Sequence, residues 1–224
     1  MVSASALGMV LFGTPIADRA TAARERVAPI LQKLVGAAKL DFPPKQIFFR
    51  AFKDEKTIEV WGAASPTSKH SLIKKYLVLA ASGRLGPKRM SGDMQVPEGW
   101  YYVNRFNPLS AFHLSLGLNY PNRVDLVRSA NVNPGGDIFI HGNQVSAGCL
   151  AMGDSHIDEI YTLARMAKGK VFVLILPSRS NPAKSTDAPH KELYSQIYSI
   201  NRAFERNYMM PKVDVNARGY YRVL

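Results

Sequence analysis

The chain has 224 residues, 46% hydrophobic and 21% charged, an ordinary globular mixture that excludes disordered, collagen-like and coiled-coil classes and leaves room for one domain or two. Its formal charge is +12, from 29 Lys and Arg against 17 Asp and Glu, so an anionic partner fits; a generally basic, solvated surface is the plainer reading of the same number. No run of five or more basic residues occurs, and no RNA-binding or helix-turn-helix pattern, so nucleic acid is not supported; polyanionic wall material or an acidic membrane surface fits equally well.

Ala4 to Phe12 is a short apolar run followed by Pro15-Ile16-Ala17, resembling the end of a secretory signal without its basic n-region. No stretch reaches the roughly 18–20 apolar residues of a membrane span. Residues 20–40 read as a helix with Val27, Ile30, Leu31 and Leu34 on one face, Pro29 disturbing its start and Asp41-Phe42-Pro43-Pro44 stopping it. The pattern then turns to strands. Gln46 to Phe52 and Thr57 to Trp61 flank the polar tetrad Lys53-Asp54-Glu55-Lys56 as a hairpin. Tyr76 to Ala80, Trp100 to Val103, Phe112 to Leu118, Asp137 to His141 and Val171 to Leu176 continue the series. A helix interrupts it. Ser155 with Asp158 forms a capping-box start, Ile157, Ile160, Tyr161 and Ala164 an apolar face, and Gly169 a stop. After a polar loop over 181–188, a last helix carries Leu193, Ile197, Ile200 and Phe204 on one stripe and ends at Pro211; Val213 to Val223 alternate as a short strand pair around Gly219. The composite is a mainly antiparallel β domain with a few helices.

The chemistry lies in Ile138 to Met152 (IFIHGNQVSAGCLAM). An apolar strand delivers His141 at its end, and a Gly-containing loop returns to Cys149, the single cysteine of the chain, which excludes an internal disulfide framework. The thiolate, not the thiol, is the nucleophile. A neighbouring imidazole can take the proton, and the pair is expected to hold the thiolate well below the free-thiol pKa of about 8.5. Gly148 carries no Cβ to block a substrate, and the N–H groups of Gly148 and Cys149 are expected to form an oxyanion hole. Spacing alone also allows both residues to be core side chains. Zinc is a further reading, but there is no second Cys, and His70, His113, His156 and His190 are scattered without ligand spacing.

HGNQVSAGCLAM resembles the His-Gly…Ser-x-Gly-Cys signature of the L,D-transpeptidase (YkuD-type) catalytic domain, most closely its YafK-like branch. The blocks Leu85 to Lys88, Gly92 to Tyr101 and Phe112 to Asn122 agree with that branch, and the similarity runs from about residue 28 to the end. The resemblance implies a β-rich α+β fold, a β-sandwich catalytic domain with peripheral helices. It divides the chain into a leader remnant or flexible N-terminus (1–19), an N-terminal helix (20–41), the catalytic domain (44–178) and a C-terminal helix and strand extension (179–224). It implies Cys149 as nucleophile, His141 as base, the Gly142 carbonyl orienting His141, and Ser146 and Gly148 shaping the loop and oxyanion site. His113, Asn143, Tyr120 and Arg123 are candidate substrate contacts. Many members carry Arg two residues after the cysteine; here that position is Ala151, and Arg123, Lys88 or Arg89 is expected to supply the cation.

The implied reaction is acyl transfer without metal or cofactor on peptidoglycan stem peptides in the periplasm or cell envelope. Cys149 forms a thioester with a diaminopimelate or L-Ala carbonyl, which an amine resolves into a crosslink. The alternative within the branch is a hydrolase that releases lipoprotein or trims stem peptides. Outside it stand a wall-binding module without catalysis, which would need neither His141 nor Cys149, and a nucleic-acid binder using the positive charge.

Overall fold

The computed structural model describes residues 18–180 and 188–224. The leader reading for the first 17 residues, and most of the polar loop expected at 181–188, lie outside them. β1 (Gln46–Phe52) and β2 (Thr57–Ala63) form the expected hairpin about Lys53–Lys56, paired from Phe52↔Thr57 to Gln46↔Ala63. Every residue of both strands is buried. β1 also runs parallel to β8 (Phe172–Leu176), which pairs with the first half of β4 (Gly99–Asn107).

These strands are covered on both faces, which is why they read as apolar runs rather than as alternation. Ile47, Phe49 and Ala51 join one core with α1 (Asp18–Ala37) and α3 (Asp154–Met166). Phe48, Phe52, Leu174 and Leu176 join a second core, closed by Leu193, Ile197, Ile200 and Phe204 of α4 (Ala188–Asn207).

The strand order is β3-β2-β1-β8-β4-β5-β6-β7, with β3 at Ser71–Leu77, β5 at Ser115–Leu118, β6 at Phe139–His141 and β7 at Leu150–Ala151. The sheet curls until its ends meet. The N–H groups of Leu79 and Ala80, just past β3, donate to the Ala151 carbonyl at 2.8 and 3.2 Å, and Ala151 N–H returns to Ala80 at 3.0 Å. This curled, mixed sheet with helices packed against it is the β-rich, YkuD-like arrangement expected from the sequence. Five of its seven pairings are antiparallel; β1–β8 and β6–β7 are parallel. β9 (Val213–Val215) and β10 (Tyr221–Val223) form the expected terminal pair.

Several local expectations are corrected. α1 runs through Pro29, which is exposed; the lost hydrogen bond, on the order of 3 kcal/mol, is offset by the buried stripe Ala23, Val27, Leu31 and Val35. Ile30, expected on that stripe, is 47% exposed. The third strand begins at Ser71 rather than Tyr76, because it buries only Ile73 and Tyr76 and so looks polar. α3 is not capped by Ser155. Its N-cap is Gly153 at φ 76 with no side-chain hydrogen bond, Asp158 being turned towards His113 and Arg26. α3 ends before Gly169, and α4 ends before Pro211. α2 (Arg123–Arg128) went unread because six residues are too few for a helical period, although Asn122 and Asp125 make its capping box.

Candidate active site

β6 ends on His141, and Cys149 stands one residue before β7. Ile138, Ile140, Leu150 and Met152 are in the core, so the alternate residues Phe139, His141, Cys149 and Ala151 look the other way. Ile140 pairs with Leu150 and His141 with Ala151 in parallel register. Extending that register one row back puts Cys149 beside Phe139. In that extended register Cys149 is the diagonal neighbour of His141.

The imidazole is held in one tautomer. His141 Nδ1 lies 2.6 Å from the Gly142 carbonyl oxygen, which can only accept, so Nδ1 carries the proton and Nε2 is the basic nitrogen. The ring of Phe112 packs over the imidazole at 4.7 Å between centroids. Gly142 must be glycine, since a Cβ there would lie 2.6 Å from Asp154 Oδ1 and 2.7 Å from the Phe112 carbonyl. Asp154 also accepts from Asn143 N–H at 2.8 Å, pinning the residue after that turn.

The Cys149 sulfur accepts from Phe139 N–H at 3.4 Å and donates to the Asp137 carbonyl at 3.7 Å. Burial pushes its pKa up. The Phe139 N–H opposes that shift, the Asp137 carboxylate adds to it, and Lys88 opposes it. Burial also pushes the His141 imidazole down, against the pull of the Gly142 carbonyl. Both directions favour neutral thiol and neutral imidazole over the resting ion pair expected from the sequence.

The two N–H groups expected to form the oxyanion hole both have partners. Gly148 N–H donates to Ser82 Oγ at 2.6 Å, and Cys149 N–H donates to Ser146 Oγ at 3.1 Å. Ser146 Oγ itself donates to the Cys149 carbonyl at 2.6 Å, so this serine staples the nucleophile's own backbone. Gly148 sits at φ 94, and a Cβ there would come within 3.1 Å of the Gln95 carbonyl. Glycine thus lets the loop pack beneath residues 82–95, in a conformation other residues rarely adopt.

The remaining candidates divide. Asn143 is exposed at the loop, and Tyr120 lines a cleft of about 390 Å³ with Asn104, Arg105, Leu118 and Asp137, its hydroxyl spent on the Pro134 carbonyl at 3.0 Å. His113 does not face the thiol: its Nε2 lies 2.7 Å from Asp158 Oδ1, on α3. Arg123 donates to the Ala217 carbonyl near the C-terminus, and Arg89 to that of Arg128. Among the three cations put forward for the family arginine, Lys88 is the one whose charge the thiol feels, although its Nζ is tied to Asp93 at 2.6 Å. Phe112, Ser82 and Asp154 went unread as site residues; the Phe112–Asn122 block was the one signal near the first, and nothing marked Ser82. Among the described residues no group of three or more His, Cys, Asp or Glu could hold a metal ion, and no helix is long and apolar enough to cross a membrane.

A histidine that ends one strand and a cysteine that leads into its parallel neighbour define a class, and comparison agrees: the chain belongs to the L,D-transpeptidase catalytic domain family (YkuD), whose model matches residues 49–173. It is 30% identical over 178 residues to the protein named "Putative L,D-transpeptidase YafK" in Escherichia coli K12, covering 75% of this chain and 70% of that one. The protein of that name in Escherichia coli O157:H7 matches equally. The helical cell shape determining protein Pgp2 from Campylobacter jejuni shares the fold, with a TM-score of 0.50 and 20% identity over 71% of this chain. The chain spans 56% of the length of that solved structure.

Proposed function

We propose that this chain is a cysteine acyltransferase acting on peptidoglycan stem peptides in the cell envelope, with Cys149 as nucleophile and His141 as base. The observation that carries the reading is the His141 tautomer. Nδ1–H is committed to the Gly142 carbonyl, and Nε2 is left as an acceptor on the face that Cys149 shares.

Burial disfavours a resting thiolate, so in this reading deprotonation accompanies attack. His141 Nε2 takes the thiol proton as sulfur bonds to the stem-peptide carbonyl carbon. The tetrahedral oxyanion is stabilised once the Gly148 N–H turns from Ser82 to the substrate oxygen. Collapse expels the leaving amine, which takes its proton from the imidazolium, and leaves a thioester on Cys149. An incoming amine then attacks the thioester, His141 removes its proton, and a crosslink results. Water in place of the amine would give the trimmed stem instead.

The test is digestion of purified sacculi followed by mass analysis of muropeptides. Crosslinked dimers that appear with the parent protein and are absent with Cys149→Ala support the reading. Trimmed or lipoprotein-free stems without new dimers would replace transfer by hydrolysis. Unchanged sacculi would overturn both.

A further inference from the structure

β4 carries a bulge that changes which face one of its residues serves. Val103 pairs with Leu118, but the next partner pair is Arg105↔Gly117, so Asn104 is an extra residue. Val103 is buried in the core. Strict alternation would turn Arg105 inward; the bulge turns it outward instead, onto the face of Cys149.

The cross-strand register completes the geometry. Arg105 pairs with Gly117, and Gly117 pairs with Phe139. Beyond Phe139 in the same row comes Cys149. Gly117 leaves the row open: a Cβ there would stand 3.2 Å from Arg105 Cβ and 3.3 Å from its Nε. The arginine side chain therefore lies flat across the sheet. Its guanidinium sits 4.9 Å over the Phe139 ring and 2.8 Å from Asp137 Oδ1. Phe139 and Asp137 are the two residues whose backbone groups touch the cysteine sulfur. Arg105 and Asp137 both line the cleft beside it.

The two side chains are 55% and 80% exposed, so the ion pair they make is weak and opens readily. The charges sort the ligands this cleft can take. An anion alone meets the Asp137 carboxylate, and a cation alone meets Arg105. A ligand with both charges on one carbon replaces the pair with two pairs of its own. We propose that Arg105 and Asp137 form a recognition subsite for a zwitterionic α-amino-acid head group, held beside the Cys149 sulfur. The inference rests on the reading of Cys149 as the reacting centre. The head group has two sources, the free end of a stem-peptide diaminopimelate or a free amino acid.

The test is protection of Cys149 from iodoacetamide in the full chain, each rate compared with that variant's own unliganded rate. Free meso-diaminopimelic acid should slow alkylation saturably; its N-acetylated and its amidated forms should not. Arg105→Gln should weaken protection about tenfold, Asp137→Asn comparably, and Arg105→Lys should retain most of it. Protection by glycine or D-alanine equal to that by diaminopimelate assigns the free amino acid as source; weaker protection assigns the stem. No protection in the parent, or equal protection in Arg105→Gln, overturns the subsite. Because alkylation needs no turnover, protection with inert sacculi would keep the subsite and sink the transferase reading, while changed sacculi without protection would do the reverse.

Discussion

Two buried polar clusters lie on the same sheet and differ in how completely their groups are partnered. At the β1–β2 hairpin, Arg50 is 4% exposed and donates to Glu59 at 2.9 Å, Asn201 at 2.9 Å and Glu205 at 2.8 Å. Its guanidinium also lies within 5.5 Å of the Phe52, Trp61 and Phe204 ring centroids. Glu59 is further held by Trp61 and Arg179. At the candidate site burial shifts both Cys149 and His141 towards their neutral forms, and His141 Nε2 has no hydrogen-bond partner among the described residues. A charge buried with every partner in place cannot move a proton and serves to fix α4 on the sheet. A neutral pair with one nitrogen uncommitted can move one.

The contrast is broken most directly at the thiol. Cys149→Ala is expected to lower turnover of sacculi by about 10⁴-fold or more, with Tm within about 3 °C of the parent. Appreciable turnover in the variant would remove Cys149 from the reaction. His141→Gln comes next, with a loss of about 10²–10⁴-fold in muropeptide turnover.

The pH dependence sharpens the same point. A thiol raised by burial ionises only as pH climbs through a value above its ordinary one, so iodoacetamide alkylation should have its midpoint above about 8.5. Asp137→Asn removes a charge that raises the thiol and should move the midpoint down; Lys88→Met removes one that lowers it and should move the midpoint up. A parent midpoint below neutral would show that the pair rests as an ion pair after all.

The other cluster should answer in stability alone. Arg50→Met leaves Glu59 buried without its main partner and is expected to cost about 3–5 kcal/mol, a fall in Tm of about 10 °C by calorimetry, with turnover per folded molecule unchanged. The Arg179 side chain holds Glu55 down at about 2, and Glu59 is lowered too, its burial outweighed by Arg50, Arg179 and Trp61. Carboxylates lowered in this way stabilise the fold above the ordinary value of 4.5, and the contribution fades as pH falls towards 2. Acid unfolding followed by circular dichroism should therefore begin at higher pH in Arg179→Gln. The smallest effect is expected for His113→Gln, which loses one partly buried bond to Asp158, about 1 kcal/mol, and keeps turnover within about threefold.

What was legible in the sequence follows from the range of the forces involved. The β1–β2 hairpin and the apolar faces of α3 and α4 could be read because local periodicity and burial coincide there. The strand leading to His141, the Gly-containing loop and Cys149 form one continuous stretch, so the candidate pair could be read too. Ser82, Phe112 and Arg105 could not, because they reach the site through pairings between distant segments and, for Arg105, through a bulge that alternation does not foretell. The direction of the two pKa shifts was not legible for a related reason. Proximity of His and Cys is visible in a motif, whereas burial, the first cause of both shifts, belongs to the assembled fold.

The joint between Ala80 and Ala151 also bears on the order of folding. β7 is two residues long and is paired with β6 on one side and with Ala80, roughly seventy residues earlier, on the other. So short a strand gains little from local contacts, and the entropy of closing so large a loop must be met before the pairing repays it. The segment bearing the thiol is then expected to be among the last parts of the sheet to become ordered. On that expectation the cysteine stays solvated until the ring of strands closes, and it should lose its reactivity to a bulky thiol reagent late in refolding.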